Sequence, residues 1–219
     1  MNNKASITAL MSSFGRAFHA ENEEHPVFAD HLAKELMTAD EYAAVQSYLL
    51  GGAQFLEPEI DPAKQEPKEL LRRLVNVHIA PSPLCRAAYT EKALKAAVLT
   101  GTKQYVILGS GLDTFDTMLS ALSSICANGS ALVFDYPDED FFAAPEKRVQ
   151  NTIMMAKAGG EPMKSAFSYA ELEKLLEKHG FLIYELLTPD DIQRDVIDKA
   201  GADLKAFEHV NYCLAVRKN

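Results

Sequence analysis

Two glycines one residue apart, Gly109 and Gly111, end the apolar run Tyr105-Val106-Ile107-Leu108 and open a segment with helical spacing. Glycines let the backbone approach a ligand, and the amides at the start of the following helix face it. Strand, Gly109-Ser110-Gly111 and helix therefore make the first half of a nucleotide-binding βαβ unit. The same pattern also serves as an ordinary tight turn. A dinucleotide fingerprint has a third glycine where Thr114 stands, which disfavours close NAD-type packing. Asp113 and Thr114 are suited to cap the helix and to shape the same loop. A second buried run, Ala131-Leu132-Val133-Phe134, delivers Asp135 at its tip, 24 residues after Gly111, where a βαβ unit carries its ribose-binding carboxylate.

Other chemistries find little support. His19, His25 and His31 are six apart and do not share a helix face as metal ligands would. His78, His179 and His209 read as helix-end or surface residues. Ser12-Ser13 and Ser123-Ser124 lie inside helical patterns with no nucleophile elbow, against Ser-His-Asp hydrolysis. Cys85, Cys126 and Cys213 are odd in number and set among apolar residues, which fits reduced, buried thiols. A net charge of −9 argues against nucleic acid as a partner. There is no apolar run of the roughly 18 residues that a membrane span needs, and the start lacks a signal-peptide core, so a cytoplasmic protein with no membrane partner is expected.

The elements that must position these residues follow from periodicity. Ile7, Leu10, Met11, Phe14 and Phe18 recur on one helix face. Thr38 and Glu41 form a capping box for a helix ending at Gly51-Gly52, and Pro58 to Pro67 is a polar linker. Leu70, Leu71, Leu74, Val75 and His78 make another stripe, broken at Pro81-Ser82-Pro83 before a helix over Leu84 to Leu99. After Gly101 the pattern changes to strands at 105–108, 131–134, 181–187 and 210–216. Helices fall between them, one opened by the Ser168-Glu171 capping box. The expected organisation is a single domain over 1–219, with a helical N-terminal cap (1–103) and a Rossmann-like α/β core (104–219).

Taken together, Pro83-Leu84-Cys85-Arg86, Tyr89, Glu91 and Gln104-Tyr105-Val106-Ile107-Leu108-Gly109-Ser110-Gly111-Leu112-Asp113-Thr114 resemble the leucine carboxyl methyltransferase-like family of S-adenosylmethionine-dependent O-methyltransferases. The opening residues Thr8-Ala9, Arg16-Ala17 and Pro26 to Asp30 are similar to that family too. So are Leu132 to Tyr136, Gly180-Phe181 and Tyr212 to Arg217.

The resemblance implies a class I methyltransferase sheet, α/β and Rossmann-like, shortened to about four strands here, with S-adenosylmethionine as cofactor. It implies that Arg86 pairs bidentately with the cofactor carboxylate, where a surface salt bridge is the other reading of this residue, and that Gly109, Ser110, Gly111 and Asp113 hold its methionine part. It places Asp135 on strand five at the substrate side, whereas spacing alone gives it the ribose, and both readings stand. The acceptor would be an oxygen, of a carboxylate or hydroxyl, on a small molecule or peptide terminus. A carboxylate is already ionised at neutral pH, so no catalytic residue is named.

The sequence departs from the family in one place. Phe115 is followed at once by Asp116-Thr117-Met118-Leu119, which resembles the family's helix before strand five, so several tens of residues are missing between Phe115 and Asp116. A catalytically impaired or non-enzymatic descendant and an NAD-dependent oxidoreductase are the alternatives.

Overall fold

The structure is a computed structural model and describes residues 7–107, 115–160 and 162–218. Its helices are α1 (Ile7–Asn22), α2 (Ala39–Gly51), α3 (Ala53–Leu56), α4 (Pro67–Leu74), α5 (Pro81–Leu99), α6 (Phe115–Ile125), α7 (Lys147–Ala158), α8 (Tyr169–Lys178) and α9 (Pro189–Ile192). The strands are β1 (Ala131–Pro137), β2 (Phe181–Leu187) and β3 (Val210–Arg217). The helical N-terminal part and the mixed α/β core are as expected.

Both predicted capping boxes are present, at Thr38/Glu41 and Ser168/Glu171, and a third opens α9 at Thr188/Asp191. Pro81 and Pro83 do not break the chain direction as expected. They sit in the first turn of α5, where a missing amide costs nothing, and a π-helical turn over Val75–Ile79 joins α5 to α4.

The sheet has the order β1-β3-β2, with β3 antiparallel to both neighbours. Val133 and Asp135 share a face with Val210, Tyr212 and Leu214, and this face packs on the helical N-terminal half. Phe134, Tyr136, Cys213, Ala215 and Phe181 point the other way, onto α6 and α8 through Leu119, Leu172 and Leu176. Strand β2 changes face midway. Side chains alternate along a strand, so Ile183 and Glu185 should share a side, but a bulge between them turns Glu185 and Leu187 toward the N-terminal layer. Gly180 joins α8 to β2 at φ +76°, and a Cβ there would collide with the Arg217 guanidinium, which donates to the His179 carbonyl.

The expected strand at 105–108 is not found over its described part. Tyr105, Val106 and Ile107 have no strand pairing and are 54%, 60% and 81% exposed. An apolar run becomes a buried strand only with a ladder partner and cover on both faces. Among the described residues β1 pairs with β3 alone, so the sheet offers that cover to three strands and not four.

Candidate functional site

Helix α5 lies across the sheet face that carries Asp135. Ser82, Arg86 and Tyr89 are spaced i, i+4, i+7 and so form one stripe, and each meets the sheet. Tyr212 of β3 donates its hydroxyl to the Ser82 carbonyl at 3.2 Å. Arg86 donates from Nη1 to both carboxylate oxygens of Asp135 on β1, at 3.2 and 3.0 Å. Tyr89 stacks on Tyr212 with ring centroids 5.6 Å apart and donates to Glu185 Oε2 of β2 at 2.9 Å.

Asp135 and Tyr212 are direct cross-strand partners, so Arg86 sits over the middle of this arrangement. Burial, and then the hydrogen bond to Glu185, push the Tyr89 phenol well above its ordinary pKa. Tyr212 moves the same way through its own burial. Both are held neutral and act as fixed hydrogen-bond donors.

Two predicted site residues, Arg86 and Asp135, are thus brought together. Gly109, Ser110, Gly111 and Asp113 lie outside the described residues. The first described residue after them is Phe115, whose ring lies 5.0 Å from that of Phe134, the neighbour of Asp135, and 6.0 Å from that of Phe167. Glu185 had no place in the sequence reading. Its signal was a lone acid in the apolar strand Phe-Leu-Ile-Tyr-Glu-Leu-Leu, matched by Tyr89 one turn after Arg86.

A hollow of about 360 Å³ lined by Val27, Phe28, Ala88, Glu91, Lys92 and Lys95 lies on the far side of α5. Its helix positions are half a turn away from Arg86, so it is separate from this arrangement. Among the described residues no group of three or more His, Cys, Asp and Glu side chains could hold a metal ion. No helix among them is long and apolar enough to cross a membrane.

The family model for leucine carboxyl methyltransferases matches residues 9–158, more than half of the chain. The chain belongs to that family. It is similar to YktD of Bacillus subtilis (strain 168), a protein named as an S-adenosyl-L-methionine-dependent methyltransferase, at 30% identity with 99% of each chain covered. The expectation of a methyltransferase that uses S-adenosylmethionine is borne out.

The alignment runs over 301 positions, whereas this chain has 219 residues. The difference, about 80 positions, falls inside the alignment because both chains are covered almost completely. An internal shortening of that size agrees with the several tens of residues judged missing on the sequence, and with the small sheet.

The donor set around Arg86 fits the methionine head of the cofactor. Arg86 spends only Nη1 on Asp135, and no partner is found for Nε or Nη2 among the described residues. Among the described residues that edge is open, and a fork of this kind can accept a carboxylate bidentately.

Proposed function

We propose that this chain binds S-adenosylmethionine over the carboxyl end of β1 and transfers its methyl group to an oxygen, by preference a carboxylate, of a small molecule or peptide terminus. The observation that carries the reading is the Arg86–Asp135 pair with a guanidinium edge that no described residue uses. The methionine head group is a zwitterion, and a guanidinium beside a carboxylate is its electrostatic complement. Arg86 would take the cofactor carboxylate and Asp135 would face its ammonium. Gly109, Ser110 and Gly111 would give the backbone room and amides for the same moiety, with Asp113 capping the helix beyond. Bound there, the cofactor supplies an electrophilic methyl on a sulfonium.

What this chain's residues contribute is placement. The sheet holds Asp135, the Tyr89 and Tyr212 contacts hold α5, and so Arg86 reaches its station already oriented. A carboxylate acceptor needs no base. The chain is read as a single domain, because one cluster of buried residues spans Phe14, Leu74, Leu187 and Tyr212. A cytoplasmic setting, and no nucleic-acid partner, remain the reading that composition supports.

The test is methyl transfer from labelled S-adenosylmethionine to a panel of small carboxylates and peptide C-termini. Methyl esters are hydrolysed by mild alkali and methyl ethers are not. Alkali-labile label is expected, and alkali-stable label would overturn the carboxylate assignment.

A second reading, a binding protein without turnover, draws on the internal shortening by about 80 alignment positions. Binding of S-adenosylhomocysteine without transfer to any acceptor would favour it.

A further inference from the structure

Beyond β1 the backbone of His209 stands at φ +60°, the one non-glycine residue with positive φ among those described. A side chain in that region is strained and persists where its surroundings fix it. Three contacts fix it here. The Asp138 amide donates to the His209 carbonyl at 2.9 Å. His209 Nδ1 lies 3.0 and 3.2 Å from the two Asp138 carboxylate oxygens. His209 Nε2 lies 3.4 Å from Glu146 Oε2, a buried oxygen with no hydrogen-bond partner.

A ring with a carboxylate against each nitrogen is served on both sides only as a two-fold donor, the imidazolium. Asp138 follows β1, Glu146 precedes α7, and His209 precedes β3, so one side chain ties three element ends together. The same strand tip also receives the Phe167 amide at the Pro137 carbonyl. Neighbouring groups have partners of their own or share Asp138. Glu208 is taken by Arg148 and Lys205, and the Asp140 amide donates to Asp138 Oδ1.

We propose that His209 is a positioning residue for the cofactor site, an imidazolium clamped between Asp138 and Glu146 that holds the carboxyl end of β1, and with it Asp135, against the start of α7. This rests on the reading that Arg86 and Asp135 receive the methyl donor. Burial disfavours the charge on His209, but the hydrogen bond and charge of Asp138, with Glu146 behind them, more than offset it and raise the pKa above its ordinary value. The clamp is therefore complete in mildly acidic solution and is lost as pH rises through the raised pKa.

The test compares the full chain with His209→Asn, since asparagine tolerates positive φ and carries no charge. S-adenosylhomocysteine affinity is measured by calorimetry across the titration of the His209 ring, which is followed by NMR, and amide exchange is read over residues 138–147. In the unmodified chain, affinity should fall roughly three- to tenfold as the ring deprotonates, the range for a partly exposed charge-assisted pair. His209→Asn should show the weaker affinity at every pH, a flat profile, and faster exchange at 138–147. Unchanged affinity and exchange in His209→Asn, or a ring already neutral in mildly acidic solution, would overturn the proposal. If the unmodified chain binds no S-adenosylhomocysteine at any pH, it is the donor-site reading and the positioning role that fall together, and exchange at 138–147 then shows whether the clamp itself exists. Should His209→Asn fail to fold, Asp138→Asn carries the same comparison.

Discussion

Tyr89 on α5 and Glu185 on β2 are 96 residues apart and joined by a 2.9 Å hydrogen bond, which exists because the bulge after Ile183 turns Glu185 to the face where α5 lies. Without the extra residue the carboxylate would point at α8. The bond fixes one end of the stripe on which Arg86 sits, while Tyr212 and Ser82 fix the other.

Tyr89→Phe removes the donor and leaves the half-buried Glu185 carboxylate without it. The cost should be about 1–3 kcal/mol, read as a melting temperature lower by roughly 2–10 °C. Glu185→Gln keeps an acceptor for Tyr89 and should cost less. Equal losses in the two variants would show that the bond does not anchor the helix.

Glu23 carries the polar centre of the N-terminal half. It accepts from Arg72 Nε at 2.8 Å, from Arg72 Nη2 at 2.7 Å and from Asn76 at 2.9 Å. Burial raises its pKa, but the Arg72 and Asn76 bonds outweigh this and leave it below the ordinary carboxylate value. A carboxylate with a depressed pKa stabilises above its unfolded pKa, and that contribution is lost as pH falls through the folded one. Glu23→Gln should therefore destabilise the protein at neutral pH by about 1–3 kcal/mol in urea unfolding. The gap should close as pH falls below the ordinary carboxylate range and through the lowered folded value. A gap that does not depend on pH would contradict the account.

Arg148 is 7% exposed, and its guanidinium donates to Glu208 and to the carbonyls of Val77, Lys205 and Ala206. The Val77 carbonyl belongs to the π-helical turn, so this one side chain ties that turn to the segment before β3. Arg148→Lys cannot reproduce a planar fork with several donors and should cost about 3–5 kcal/mol, or prevent folding. A loss below 1 kcal/mol in denaturant titration would rule this out.

Burial raises the thiols of Cys85 and Cys213 to about 12. Cys126 is only partly buried. In the native protein near pH 8, a thiol reagent should modify Cys126 alone at an appreciable rate, and all three should react in denaturant. Rapid modification of Cys85 or Cys213 without denaturant would contradict the packing described.

Local signals in the sequence were reliable where one stretch decides its own structure. The capping boxes at Thr38 and Ser168, the stripe from Ile7 to Phe18 and the runs that became β1, β2 and β3 were all legible, because helix ends and alternation are set by neighbouring residues. Tyr105-Val106-Ile107 has the same strand character yet is exposed and unpaired, because pairing depends on a sheet position that its own residues do not encode. The Arg86–Asp135 pair was named one residue at a time, and their meeting depends on the crossing of α5 over β1. Glu185 was hidden by a bulge that reverses its face, and His209 read as a surface residue because both of its carboxylates are distant in sequence.

The central claim is that Arg86 receives the carboxylate of the methyl donor. Calorimetric titration of the chain and of Arg86→Ala with S-adenosylhomocysteine tests it most directly. One site per chain is expected, weakened at least tenfold in Arg86→Ala, since a bidentate charged pair is worth about 1.5–3 kcal/mol or more. No binding by the unmodified chain, or the same affinity in both proteins, would contradict it.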